Sequence, residues 1–409
     1  MKVLILSCNT GGGHNAAGAA IAQALEKRGH TAVLTDFLSL AGEKVSKAVC
    51  GTYIGMVKNV PLVFGVTYGM GRAVSNADRA LGVRSPVYIA CAQVADKLKD
   101  YLDQNDFDAV IAPHTFPALA LTELSKRGER CPLTVAVATD YTCTPFFEEE
   151  DCDYTMIPGK ACIDEFKRRG FDEKKLVPLG IPVSADFLVR KGKEQCRDEL
   201  GLSKNKKIVL IMGGSMGAGH IGLLLKFLLV GTGDDVQFAV ICGSNKRLFR
   251  SLSHKYLGEK KIKIVGHTDK VARYMEACDL FYTKPGGITS TEGTVMGVPM
   301  VHMKPIPGCE SRNRRLFVKN GMSISARSVL FQALRGIGLL NDPQKCAEMI
   351  AENRNQDAVE DNVDNRTNHC RDHRISALQA QHVYACEEGC QQTKRCTQGQ
   401  NRNIPPRDK

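Results

Sequence analysis

YTKPGGITSTEGTVMGVPMVHMKPIPGCESRN, residues 282–313, is the stretch from which the fold is read. Its apolar lead-in, Leu280 to Tyr282, runs into Lys284-Pro285-Gly286-Gly287, and Thr289 to Met296 then has helical character around one carboxylate, Glu292. A strand, a glycine turn and a helix start predict a place where a ligand meets bare backbone and the unpaired N–H groups of a first helical turn. Val298 to Met303 reads as the next strand, and the segment after it is predicted to be a loop carrying Glu310 and Asn313. These groups should share the carboxyl edge of one sheet, where open α/β folds bind ligands.

Working outward, the same grammar recurs. Lys207 to Met212 is a predicted strand and is followed by Gly213-Gly214-Ser215-Met216-Gly217-Ala218-Gly219, which offers amides and a hydroxyl to a phosphate. At the other end of the chain, the predicted strand 3–7 leads into Thr10-Gly11-Gly12-Gly13-His14 and a helix to Arg28. The dipole at that helix start favours a neutral imidazole at His14. The strand Thr31 to Leu34 ends at Asp36, which could orient His14, act as a base, or cap the following helix. Strands alternate with helices through 108–183, so a doubly wound, mostly parallel α/β architecture is predicted. Three segments are expected: 1–182, 183–353, and a polar 354–409 tail whose composition is that of a disordered segment. Residues 40–90 break this rhythm. There glycines and Pro61 are expected to interrupt any long helix, leaving an apolar, weakly basic insert suited either to a membrane surface or to packing at the domain edge.

Composition narrows the function classes. A chain of 409 residues calls for more than one core. Its apolar runs are short, so a protein without a membrane span or signal peptide, located in the cytoplasm, is expected. Sixteen cysteines occur without a CxxC pair, which reads as reduced thiols rather than disulfides or a zinc site. Charge is lopsided: residues 186–352 hold 26 Lys and Arg against 15 Asp and Glu, whereas residues 1–185 hold 20 against 21. A basic half containing the glycine turns suits an anionic small ligand and an anionic membrane surface. With few aromatics, nucleic acid is not expected.

Together, TGGGH (10–14), TDF (35–37), PH (113–114), ATDY (138–141), GGSMGAG (213–219), TKPGGITSTE (283–292) and PGCESRN (307–313) resemble the GT-B glycosyltransferases, specifically the monogalactosyldiacylglycerol synthase and processive diacylglycerol glucosyltransferase family. The resemblance implies two Rossmann-like domains facing across a cleft. It also implies inverting transfer of a hexose from UDP-galactose or UDP-glucose to diacylglycerol or a glycosyl-diacylglycerol, by a peripheral protein at the cytoplasmic membrane face, with no obligatory metal or cofactor. Carried onto these residues, it puts Gly213, Gly214, Ser215, Gly217, Gly286, Gly287 and Thr289 at the diphosphate and Glu292 on the ribose. His267 and Thr268 would flank the uracil, and Glu310 and Asn313 would hold sugar hydroxyls. His14 and Asp36 are the base candidates. Where the family often has Gln before the Glu/Asn pair this chain has Cys309, expected to weaken one sugar contact. N-acetylglucosamine transfer to an undecaprenyl-linked acceptor, a UDP-sugar epimerase, and a UDP-sugar-binding regulator without activity are the alternatives. The oligomeric state is not legible.

Overall fold

The computed structural model describes residues 1–9, 12–59, 61–306 and 308–358. Thr10, Gly11, Pro307 and most of the polar tail lie outside the described residues.

Two six-stranded sheets, each wholly parallel, organise the chain. The first contains β1 (Lys2–Ser7), β2 (Thr31–Asp36), β3 (Ala109–Ala112), β4 (Leu133–Val137), β5 (Tyr154–Met156) and β6 (Leu176–Val177), in the order β2-β1-β3-β4-β5-β6. The second contains β7 (Lys207–Met212), β8 (Val236–Ile241), β9 (Ile262–Val265), β10 (Leu280–Thr283), β11 (Met300–His302) and β12 (Ile324–Ser325), in the order β12-β11-β10-β7-β8-β9. Central strands of a doubly covered parallel sheet are apolar on both faces. Val3 to Leu6 and Ile208 to Ile211 accordingly have almost no exposure.

The first sheet carries α1 (Gly12–Lys27), α2 (Phe37–Leu40), α3 (Glu43–Asn59), α4 (Pro61–Leu81), α5 (Pro86–Ala92), α6 (Ala95–Asp103), α7 (Thr115–Lys126) and α8 (Ile163–Arg168). The second carries α9 (Lys193–Glu199), α10 (Ile221–Gly231), α11 (Lys246–Lys255), α12 (Val271–Ala277), α13 (Gly287–Val295), α14 (Cys309–Lys319), α15 (Val329–Leu340) and α16 (Pro343–Ala358). Both sheets reverse strand order beside their first strand. The crevices this creates lie between β1 and β3 in the first sheet and between β7 and β10 in the second.

Two local expectations are corrected. Glu43–Asn59 and Pro61–Leu81 are two long helices, because Pro61 sits at the start of α4, where its missing N–H costs nothing and its fixed φ suits a helix. The segment after β11 is the helix α14, so Glu310 and Asn313 share a helical face, three residues apart, in place of the predicted loop. The eleven cysteines whose state is described are all free, in line with reduced thiols. Among the described residues no helix is long and apolar enough to cross a membrane, and no cluster of His, Cys, Asp and Glu could hold a metal.

Candidate active site

The carboxyl ends of β1, β4, β7 and β10 converge on one cavity of about 160 Å³, lined from the first sheet by Gly12, Gly13, His14, Thr139 and Asp140. The second sheet contributes Gly214, Ser215, Met216, Lys284, Gly286 to Thr289, Ile306, Cys309 and Glu310. The walls approach closely. A Cβ on Gly12 would lie 2.4 Å from Ser215 Oγ, and one on Gly287 would lie 2.0 Å from the Thr139 carbonyl oxygen. Gly287 is therefore required by contact across the cleft. Gly287→Ala is expected to hold the cleft open and to destabilise by about 1–3 kcal/mol through overpacking; thermal denaturation and small-angle scattering of the variant check both.

Gly217 has a different reason to be glycine. Its φ of +55° closes the turn after β7, and a Cβ there would lie 2.1 Å from the Cys242 carbonyl oxygen. The turn leaves Gly214 directly over Lys284, whose Cε would be 3.0 Å from a Cβ at that position. Lys284 is buried, and its Nζ donates to Glu310 Oε1 at 2.7 Å. Glu310 Oε2 accepts the Ile306 N–H at 2.7 Å. A cation is thus fixed between the two glycine turns.

His14 stands on the opposite wall. Its Nδ1 lies 2.8 Å from the Pro113 carbonyl oxygen, which can only accept, so Nδ1 carries the proton and Nε2 keeps its lone pair. Thr139 Oγ1 is 3.0 Å from the same nitrogen. Burial holds the imidazole below the usual histidine range, with the Pro113 hydrogen bond partly opposing it. His114 packs edge-on against His14, ring centroids 4.5 Å apart, and burial then the neighbouring His14 keep it well below that range too. The result is a neutral, oriented proton acceptor.

Of the three roles open to Asp36, orienting His14, acting as a base or capping the next helix, the structure shows the cap. Its Oδ2 accepts from Ser46 Oγ at 2.7 Å and its Oδ1 faces the Leu38 N–H at 3.4 Å, the N-cap of α2. It does not line the cavity. A short polar residue at the end of a strand that runs straight into a helix is drawn to the cap.

Asn313, expected against the sugar, is fully buried and engaged at both ends of its amide. Its Oδ1 accepts the Tyr141 N–H at 3.0 Å, and its Nδ2 donates to Asp140 Oδ1 at 2.7 Å and to the Pro285 carbonyl at 3.1 Å. It fastens β4's end to the β10 turn. Tyr141 adds a bond from its hydroxyl to Thr291 Oγ1 at 2.8 Å and an edge-on contact with Phe317. Asp140 is the residue that sequence reasoning missed. Burial raises its carboxyl to about 6, against the opposing hydrogen bonds from Asn313, the Cys309 thiol and the Gly287 N–H. In the sequence it stood out only as the acid of the ATDY motif just past a predicted strand, with no role attached to it. The Cys309 thiol donates to this carboxylate.

Glu292 lies one turn into α13, partly buried, and burial pushes its carboxyl up to about 8. Among the described residues no hydrogen bond or ion pair engages its carboxyl group; its backbone carbonyl accepts the Met296 N–H. His267 and Thr268 follow β9, two strands away from β7 along the same carboxyl edge, and do not line the cavity. The Thr268 hydroxyl accepts the Lys270 N–H at 3.1 Å.

The fold and the cleft define a GT-B arrangement, and similar solved structures share it. MurG of Acinetobacter baumannii is 13% identical, with a TM-score of 0.55 over 87% of this chain and 94% of that one. UDP-GlcNAc 2-epimerase of Neisseria meningitidis, bound to UDP-GlcNAc, is also 13% identical, with a TM-score of 0.57 over 86% and 94%. The motif resemblance holds as well: a family model described as monogalactosyldiacylglycerol (MGDG) synthase matches residues 14–183. The processive diacylglycerol beta-glucosyltransferase of Bacillus subtilis is 30% identical over 230 residues, 56% of this chain and 59% of that protein. Its Bacillus licheniformis counterpart is 29% identical over 257 residues, 62% and 66%. The chain is thus related to this family, and the match spans 59% and 66% of these two curated relatives' length.

Proposed function

We propose that the protein is an inverting glycosyltransferase that moves galactose or glucose from a UDP-sugar to diacylglycerol or a glycosyl-diacylglycerol. The observation that carries this reading is the neutral, oriented His14 facing two glycine turns and the fixed Lys284 cation across one cavity. The names of the sequence relatives supply the acceptor class, and the nucleotide in related structures supports a uridine diphosphate donor.

In the proposed reaction the acceptor hydroxyl oxygen attacks the anomeric carbon while the bond from that carbon to the diphosphate oxygen breaks. The hydroxyl proton passes to His14 Nε2, and UDP departs with the bonding electron pair. Attack from the face opposite the leaving group inverts the centre. Lys284, the Gly214–Ser215 turn and the first-turn amides of α13 would stabilise the charge growing on the diphosphate. Asp140 and Asn313 would hold the cleft closed around the donor, excluding water from the anomeric carbon. Asp36 is left a structural part, and the donor half is assigned to residues 183–353.

The α3–α4 pair suits the lipid side. Val66, Met70, Val74 and Leu81 form an exposed apolar face along α4, with Val66 and Met70 63% and Leu81 75% accessible. The opposite face of α4 sends Tyr68 over Gly308 at the cleft. The helix would thereby link a membrane surface, taken here as the cytoplasmic face, to the donor site.

Glu292, raised by burial and without a protein partner, is the proposed ribose ligand. Hydroxyls donating to it favour its ionised form, so UDP affinity is expected to rise with pH through about 8. Glu292→Gln should weaken UDP binding about tenfold, through loss of hydrogen bonds to a charged acceptor, and should abolish that pH dependence. Calorimetric titration with UDP between neutral and mildly alkaline pH tests this; an unchanged affinity would contradict the assignment. Competition among UDP-glucose, UDP-galactose and UDP-N-acetylglucosamine in the same experiment would rank the donors.

A further inference from the structure

A second cavity, of about 590 Å³, opens between α4 and α8 of the first domain and α14 of the second. It shares no lining residue with the candidate active site. Arg72 enters it from α4, Arg168 and Arg169 from the end of α8, and Arg312, Arg315 and Lys319 from one face of α14. Glu165 is the single carboxylate in the lining, 3.8 Å from Arg312. Arg169 is backed by Glu148 and Arg168 has a partner of its own, but six cations still outnumber the one carboxylate that lines this interdomain gap, and a negative group between them would offset that surplus.

The hydrogen-bonding state of the walls adds an independent observation. Arg169 is only 6% exposed; its Nη1 donates to Asn76 Oδ1 at 2.5 Å and lies 3.4 Å from Glu148 Oε1, yet its Nε and Nη2 are buried without a partner. Arg72 Nη1 and the hydroxyl of Thr142, 5% exposed, are buried and unpartnered in the same lining. Guanidinium donors and a hydroxyl left unpaired in a buried wall are costly, and native proteins satisfy such groups with a ligand or ordered solvent. Forked guanidinium donors fit the oxygens of a phosphate group.

We propose that this cavity is a second oxyanion site, taking a phosphate group held between the two domains. Bound there, the group would draw α14 toward α4 and α8. Because α14 also carries Glu310, the partner of Lys284, occupancy would favour the closed cleft. The proposal stands on the cavity itself and does not depend on the identity of the donor.

The test titrates the full chain with inorganic phosphate and with pyrophosphate, by calorimetry and thermal denaturation, in the wild type, in Arg72→Gln/Arg315→Gln and in Lys284→Met. Arg315 is exposed, so the single variant Arg315→Gln serves if the double variant does not fold. Binding about tenfold weaker or more in the arginine variants, with Lys284→Met little changed, is the expected result. Binding that survives the arginine variants and is lost in Lys284→Met belongs to the other cavity and overturns the proposal, as does no binding of any phosphate. Co-sedimentation with phosphatidylcholine vesicles, with and without phosphatidic acid, distinguishes the source. Retention that needs phosphatidic acid and falls in the arginine variants marks the ligand as a lipid headgroup. A response confined to the soluble anions supports the site as one for free phosphate.

Discussion

Replacing His14 with alanine is expected to lower sugar transfer by about 10²–10⁴-fold, the usual worth of a positioned general base, while UDP still binds. The argument rests on the tautomer. The Pro113 carbonyl takes the Nδ1 proton, so Nε2 is the free acceptor of a ring that lines the cavity. Because burial keeps the imidazole below its ordinary range, the base is already deprotonated at neutral pH. In the wild type kcat/KM should therefore climb with pH on the acid side and be level by neutrality. In His14→Ala that acid limb should vanish along with the rate. Steady-state rates across the acid range, with UDP affinity measured beside them, separate this from a folding defect: a variant that binds UDP normally and transfers at the wild-type rate removes His14 from the chemistry.

Lys284→Met is expected to act twice. It strips the Glu310 carboxylate of its cation inside a buried wall, and breaking a buried pair from one side costs about 3–5 kcal/mol. The Tm should fall accordingly. It also removes the charge beneath Gly214, so UDP affinity should drop about 10–100-fold, the scale of a hydrogen bond to a charged group. Adding Glu310→Gln separates the two effects. Lys284→Met/Glu310→Gln should recover much of the lost Tm, because no unpaired charge stays buried, and should leave UDP affinity low. Recovery of affinity together with stability would mean that Lys284 only supports the fold and never meets the diphosphate.

What could be read in advance follows from the range of each interaction. The glycine turns after β7 and β10 were legible because a strand, a turn and a helix start are local features. The parallel sheets followed from the alternation of apolar runs. The partner that orients His14 was not legible. His14 is oriented by a backbone carbonyl 99 residues away, to which no side-chain pattern points, whereas Asp36 was taken up by the nearer demand of capping α2. Asp140 and Asn313 owe their positions to burial and to contact across the cleft, and both arise only once the elements of the two sheets meet. Similarly, α3 and α4 looked too rich in glycine to be helices, yet Pro61 opens α4 and tertiary packing outweighs the propensity cost of Gly71, which rests on Phe146.

The proposed activity itself is tested most directly by incubating the purified chain with diacylglycerol and UDP-sugar labelled in the hexose, then extracting the lipid. The account predicts label in the lipid fraction with UDP-glucose or UDP-galactose, a sugar of opposite anomeric configuration to the donor, and about 10²–10⁴-fold less product with His14→Ala. Absence of labelled lipid with both donors, from a folded protein that binds UDP, would contradict it.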